Sequence, residues 1–194
     1  MRALFLIDVQ NDFTAGGALP VADGAETAGR ITEYLRAHQN DYDVVFGSRD
    51  WHQASGDNGG HFAVDTEPDY VSTWPAHCIA GSDGAKYHPA LDTALIDIHV
   101  RKGQGVPAYS IFEGTAEDGD SVLQKLDEFS VTDIDVVGIA TDHCVRASAL
   151  DALASHRRVR VLTDLIAGVT PASSATALDE LKEAGAEVVA SNGE

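Results

Sequence analysis

Four residues able to carry acid–base and nucleophilic chemistry stand at the ends of apolar runs: Asp8 after ALFLI, Asp50 after VVFGSR, Lys102 after IHVR and Cys144 after DVVGIATDH. A cysteine that opens a helix meets free N–H groups and the positive end of the helix dipole, which favour its thiolate. That thiolate is a nucleophile, and the same N–H groups can hold the oxyanion formed when it attacks a carbonyl. A carboxylate at Asp8 can take the thiol proton, and an ammonium at Lys102 can lower the thiol pKa or steady developing charge. Taken singly, Asp8 reads as a turn cap, Lys102 as a solvated charge and Cys144 as core packing. Taken together, their chemistry fits. His143 is a rival base; it is set aside because neighbours at a strand-to-helix turn point in different directions.

A second group begins at Asp50 and His52 and continues with His61 and His77. Alternation along a strand puts Asp50 and His52 on one side. One carboxylate and three imidazoles suit Zn²⁺, Fe²⁺ or Mn²⁺; the plain alternative is surface histidines scattered by chance. His88 stays unassigned, and Cys78 is expected to pack rather than to serve as a fifth ligand. The aromatics Phe13, Trp51, Trp74 and Tyr109 lie near these residues in sequence. They read either as ordinary packing or as a sandwich for a flat aromatic ligand.

Such residues need a frame that brings strand ends together. Short apolar runs at 3–9, 44–47, 96–100, 133–140, 159–163 and 187–190 predict six strands, and helical spacing predicts helices over 22–38, 121–129, 144–155 and 172–184. Alternating strands and helices imply an α/β fold: a three-layer αβα arrangement with a six-stranded, mainly parallel sheet and helices on both faces. In such sheets ligands sit outside the carboxyl ends of the strands, where the four residues fall. The stretch 51–91, rich in Gly, Pro, Asp and His, breaks the alternation and reads as a functional insert in one domain covering 1–194.

Thirteen basic residues against 31 acidic give a net charge of −18, which repels nucleic acid and anionic membranes. No apolar run approaches the ~20 residues of a membrane span, and the first residues do not read as a signal peptide. Two cysteines make no disulfide framework, so a reducing cytoplasm is expected. The sequence leaves monomer and homo-oligomer open.

The chain resembles the nicotinamidases, also called pyrazinamidases, of the isochorismatase-like hydrolase superfamily. The resemblance runs nearly end to end and rests on LFLIDVQNDF, SRDWH, TWPAHC, VRKG, AYSIFEG and VVGIATDHCVRASALDA. It implies an isochorismatase-like, Rossmann-like fold. It further implies Asp8, Lys102 and Cys144 as a catalytic triad, and Asp50, His52, His61 and His77 as ligands of one divalent ion, zinc first, with Fe²⁺ or Mn²⁺ as alternatives. Phe13 and Trp74 would bracket a pyridine ring with Tyr109 nearby, and the amides of Ala140 and Cys144 would form the oxyanion hole. The family's cis peptide would fall at Ile139–Ala140. The activity implied is hydrolysis of nicotinamide to nicotinate and ammonia through a cysteine thioester, in NAD salvage, with pyrazinamide as a further substrate. Alternatives are an amidohydrolase of the superfamily acting on another small amide or carbamoyl compound, a metallohydrolase in which Cys144 is structural, and a non-catalytic metal-binding member. The histidines argue against the carbamoyl-type relatives, and Cys144 against the isochorismatases proper.

Overall fold

A computed structural model describes residues 1–193. Its centre is a seven-stranded sheet made of β1 (Arg2–Ile7), β2 (Val44–Asp50), β3 (Ile98–Lys102), β4 (Thr115–Ala116), β5 (Asp133–Ile139), β6 (Arg158–Ala167) and β7 (Glu187–Val189). The spatial order is β4-β3-β2-β1-β5-β6-β7; β4 runs antiparallel to β3, and every other pair is parallel. The sequence predicts six of these strands. The seventh, β4, is two residues on the sheet edge, too short to carry a period of its own.

The helices are α1 (Gly24–Ala37), α2 (Val122–Glu128), α3 (Arg146–Ala154) and α4 (Pro171–Glu183). Their ends follow local rules. Ser121 caps α2 in a capping box with Gln124, and Thr170 caps α4 ahead of Pro171. Along β1, Ala3, Phe5 and Ile7 point to one face, where Val122, Leu126, Val145, Ala149 and Leu181 cover them. Leu4 and Leu6 point to the other, under Ala28, Ile31 and Leu35 of α1 and Cys78, Ala85 and Leu91 of the insert. Each such Val, Leu, Ile or Phe side chain contributes about 1.5–3 kcal/mol when fully buried. The insert therefore takes the place of a helix on part of one face. Described residues 51–91 contain no helix or strand, only isolated bridges such as His52 with Ile79 and Phe62 with Trp74.

Strand order reverses between β1 and β5, which opens the crevice that α/β sheets use for ligands. At that point the strands approach closely. A Cβ on Gly138 would lie 2.1 Å from the Ile7 carbonyl oxygen. β1 stops at Ile7 because Asp8 takes a left-handed conformation, φ 49°.

The chain leaves β5 differently from the sequence expectation. No peptide bond among the described residues is cis, so Ile139–Ala140 is trans; the reversal is made at Ala140 itself, with φ 64° and ψ 64°. Cys144 does not open α3. It lies in a π-helical turn, Thr141–Val145, that precedes the regular helix. No described helix is long and apolar enough to cross a membrane.

Candidate active site

The ends of β1, β2 and β3 and the turn after β5 bring Asp8, Asp50, Lys102 and Cys144 to one buried point. Lys102 Nζ lies 2.9 Å from Asp8 Oδ2, in direct contact with Asp50 Oδ1, 3.4 Å from the Ala108 carbonyl and 3.7 Å from Cys144 Sγ. One oxygen each of Asp8 and Asp50 falls within 4.8 Å of the sulfur. Ser48 Oγ donates to Asp8 Oδ1 at 2.7 Å and accepts from the Asp8 N–H at 3.3 Å, which leaves Oδ2 for Lys102 and the thiol.

All three triad candidates are buried, and burial dominates their electrostatics. It opposes the charge on Lys102, yet Asp50 and Asp8 outweigh it and hold the ammonium well above the ordinary lysine pKa. Burial, with Asp50 adding to it, raises Asp8 despite Lys102. Asp50 is held well below the usual carboxylate range, because Lys102, His52 and His77 together outweigh its burial. Burial pushes the Cys144 thiol well above its ordinary value, with Lys102 opposing and the two carboxylates adding. The helix-start argument from sequence favours a thiolate. In this cluster burial and the two carboxylates work against that charge, and Lys102 works for it.

His52, His61 and His77 form the second half, with one nitrogen of each within 4.8 Å of the others. His52 Nδ1–H donates to the Gly103 carbonyl at 2.8 Å and His77 Nδ1–H to that of Pro75 at 2.7 Å. These bonds orient both rings and aim each Nε2 at Asp50. The two Nε2 atoms lie 3.6 and 3.7 Å from Asp50 Oδ2. His52 Nε2 and both His61 ring nitrogens are buried without a hydrogen-bond partner. Burial, reinforced by its two imidazole neighbours, pushes His61 down to about 3, so its ring is neutral. Buried imidazole nitrogens without a hydrogen-bond partner beside a carboxylate are the donor set of a divalent metal ion, and these residues fit one. Gly103 is required here: its φ is 79°, and a Cβ on it would lie 2.5 Å from His52 Cε1.

A cavity opens on both halves. Its polar lining includes Asp50, His61, His77 and Cys144, and Phe13, Trp74 and Tyr109 supply aromatic walls. Trp74 Nε1 donates to Tyr109 Oη at 3.0 Å, so the two rings set one another's position. The Phe13 ring is 5.5 Å from that of His77. Trp51, in contrast, lies away from the cavity, with the Arg49 and Arg101 guanidinium groups over its ring at 5.0 and 4.7 Å. His143 lines the cavity, 5.0 Å from the Trp74 ring and 6.2 Å from that of Tyr109; it faces the aromatic wall. Leu19, Val21 and Val169 complete the lining and escaped the sequence reading, as did Ser48. An aliphatic residue in a loop carries no mark of the cavity it faces.

A model of the isochorismatase domain matches residues 2–193, and the chain belongs to the isochorismatase family. It is 47% identical over 192 residues to the nicotinamidase/pyrazinamidase of Mycobacterium tuberculosis, covering 99% of this chain and 100% of that one. Among solved structures it resembles PnC1 from L. infantum in complex with nicotinate, with a TM-score of 0.84 and 31% identity over 100% of this chain and 94% of that one. It also resembles the pyrazinamidase of Pyrococcus horikoshii in complex with zinc, with a TM-score of 0.82 and 32% identity over 97% of this chain and 98% of that one.

Proposed function

We propose that this protein is a nicotinamidase: it hydrolyses nicotinamide to nicotinate and ammonia, acts on pyrazinamide as well, and serves NAD salvage in the cytoplasm. The observation that carries the reading is the shared cavity, in which a buried Cys144–Asp8–Lys102 cluster and three clustered imidazoles, His61 with both ring nitrogens unpartnered, meet between aromatic walls. In this reading the chain is one isochorismatase-like domain over 1–194, and its 51–91 insert supplies the metal-binding histidines. Asp50, His52, His61 and His77 hold one divalent ion, zinc first, with Fe²⁺ or Mn²⁺ as alternatives. When bound, the ion supplies a Lewis-acidic point that orients and polarises the ring nitrogen of the substrate.

Asp8 Oδ2 takes the proton of the Cys144 thiol as sulfur attacks the amide carbon. The transfer moves a proton within the cluster and leaves its net charge unchanged, so no third buried anion forms. A base with a raised pKa is the stronger base for the task. Lys102 stays charged between the carboxylates and stabilises the sulfur as it sheds its proton. The amides of Ala140 and Cys144 hold the oxyanion. Asp8 then gives the proton to the departing nitrogen, the C–N bond breaks, and ammonia leaves a thioester. Water loses a proton to Asp8 and attacks that carbonyl; the C–S bond breaks and the sulfur recovers the proton. Phe13, Trp74 and Tyr109 hold the ring flat through these steps.

The test is ammonia release from nicotinamide by the metal-loaded protein, before and after treatment with iodoacetamide. Turnover abolished by alkylation of Cys144 supports the reading. Turnover that survives full alkylation of Cys144 removes the thioester.

A further inference from the structure

The last backbone rung between β1 and β2 joins Leu6 to Gly47. Asp8 then turns the chain away, while β2 runs on to Asp50. On that side the strand that delivers Asp50 has lost its neighbour. The Gln10 side chain fills the place: its Oε1 accepts the Asp50 N–H at 2.8 Å, and its Nε2 donates to the Asp50 carbonyl at 2.9 Å. The same Nε2 donates to the Ala85 carbonyl of the insert at 3.1 Å. Gln10 is fully buried and, among the described residues, its amide spends its hydrogen bonds on backbone groups of Asp50 and Ala85 alone.

We propose that Gln10 is a positioning residue for the metal site, its side-chain amide acting as one further rung of the β1–β2 ladder that grips the Asp50 backbone and ties it to the insert. Asp50 must present one carboxylate oxygen to Lys102 and the other towards His52 and His77, so a small rotation of its backbone spoils one side or the other. A primary amide is the one side chain that offers a donor and an acceptor in the spacing of a peptide group. The inference rests on the reading of Asp50 as a metal ligand.

The experiment measures zinc affinity of metal-stripped protein by competition with a chromophoric chelator, well below the melting temperature, for wild type, Gln10→Glu and Gln10→Asn. Glutamate keeps the shape but turns acceptors on the carbonyls of Asp50 and Ala85; asparagine keeps the amide but falls short. Outer-shell substitutions of this kind cost about 10–100-fold in metal affinity, and that loss is expected for both variants. The visible spectrum of the Co²⁺-substituted variants should shift, which a merely stabilising glutamine would not cause. As a check that needs no variant, the Asp50 amide of the wild-type protein should be among the slowest to exchange with deuterium. Zinc affinities within about threefold of wild type, or rapid exchange at Asp50, overturn the inference. A wild-type protein that binds no zinc overturns instead the metal reading on which it rests.

Discussion

Asp50 and Lys102 are in direct contact: the Asp50 Oδ1 atom meets the Lys102 ammonium, while Oδ2 of the same carboxylate turns to His52 and His77. One side chain thus joins the thiol half of the cavity to the imidazole half. Lys102 faces two carboxylates there, since Asp8 holds its other side at 2.9 Å.

Removing that cation leaves two buried carboxylates unopposed. Lys102→Met, which keeps the volume, should destabilise the metal-stripped protein by about 3–5 kcal/mol, the cost of breaking a buried ion pair from one side. Adding Asp8→Asn should recover part of the loss, because one of the stranded charges is gone. Urea unfolding of the two single variants and the double variant measures the coupling. Strictly additive effects would show that the three groups do not share one electrostatic cluster.

The thiol is the next point to probe. Cys144→Ala should lower turnover by on the order of 10⁴-fold or more while nicotinate still binds. Burial holds the thiol above its ordinary pKa, with Asp8 and Asp50 adding and Lys102 opposing. On metal-stripped protein the rate of alkylation by iodoacetamide should therefore keep rising beyond about pH 9, where a free thiol has levelled off. Lys102→Ala removes the opposing positive charge, so the profile should move to still higher pH. Mass spectrometry at Cys144 gives the rates, and a plateau near neutral pH would remove this picture of the resting sulfur.

Gly103 offers a test that replaces no ionisable group. Its backbone is left-handed, and a Cβ would press on the His52 ring whose Nδ1–H its own carbonyl accepts. Gly103→Ala should displace the ring and lose zinc affinity by about the tenfold or more typical of outer-shell changes, with Cys144 alkylation on stripped protein nearly unchanged. Chelator competition reads the first quantity and mass spectrometry the second. Wild-type zinc affinity in the variant would detach His52 from the metal.

Asp8, Asp50, Lys102 and Cys144 were legible in the sequence because an α/β sheet exposes the residues that follow its strands, and short apolar runs mark where strands end. The extent of β6 was not legible: its pairing with β5 steps from Val136–Val161 to Gly138–Ile166, so two residues of one strand span five of the other, and periodicity is lost across the irregularity. Nor was the electrostatic setting of the sulfur. A helix start favours thiolate in any sequence, but burial among Asp8 and Asp50 is a tertiary fact. Gln10 looks like any polar residue in a loop; its grip on Asp50 exists only once β1 has turned away. His143 was set aside by direction along the chain, and the fold brings its ring to the cavity wall all the same.

The choice of substrate follows from having both halves in one cavity. If Asp50, His52, His61 and His77 hold a divalent ion, a pyridine nitrogen is a ligand for it in the way an imidazole is. Nicotinamide and pyrazinamide carry such a nitrogen at the same distance from the amide. Benzamide has the same shape and the same amide, with a C–H in that place. It would leave a polar site unsatisfied with no compensating bond. An unpaired buried polar group costs roughly 1–3 kcal/mol, more beside a charge, so discrimination should reach at least about tenfold. Nicotinamide and pyrazinamide should be hydrolysed, and benzamide poorly or not at all. Stripping the metal should depress turnover of nicotinamide, and His52→Ala should do the same while Cys144 remains open to alkylation. The measurement is kcat/KM for the three amides on metal-loaded and stripped protein. Equal values for benzamide and nicotinamide on the loaded protein would end the orienting role of the metal and leave a general amidase in which the histidines serve only to hold the insert in place.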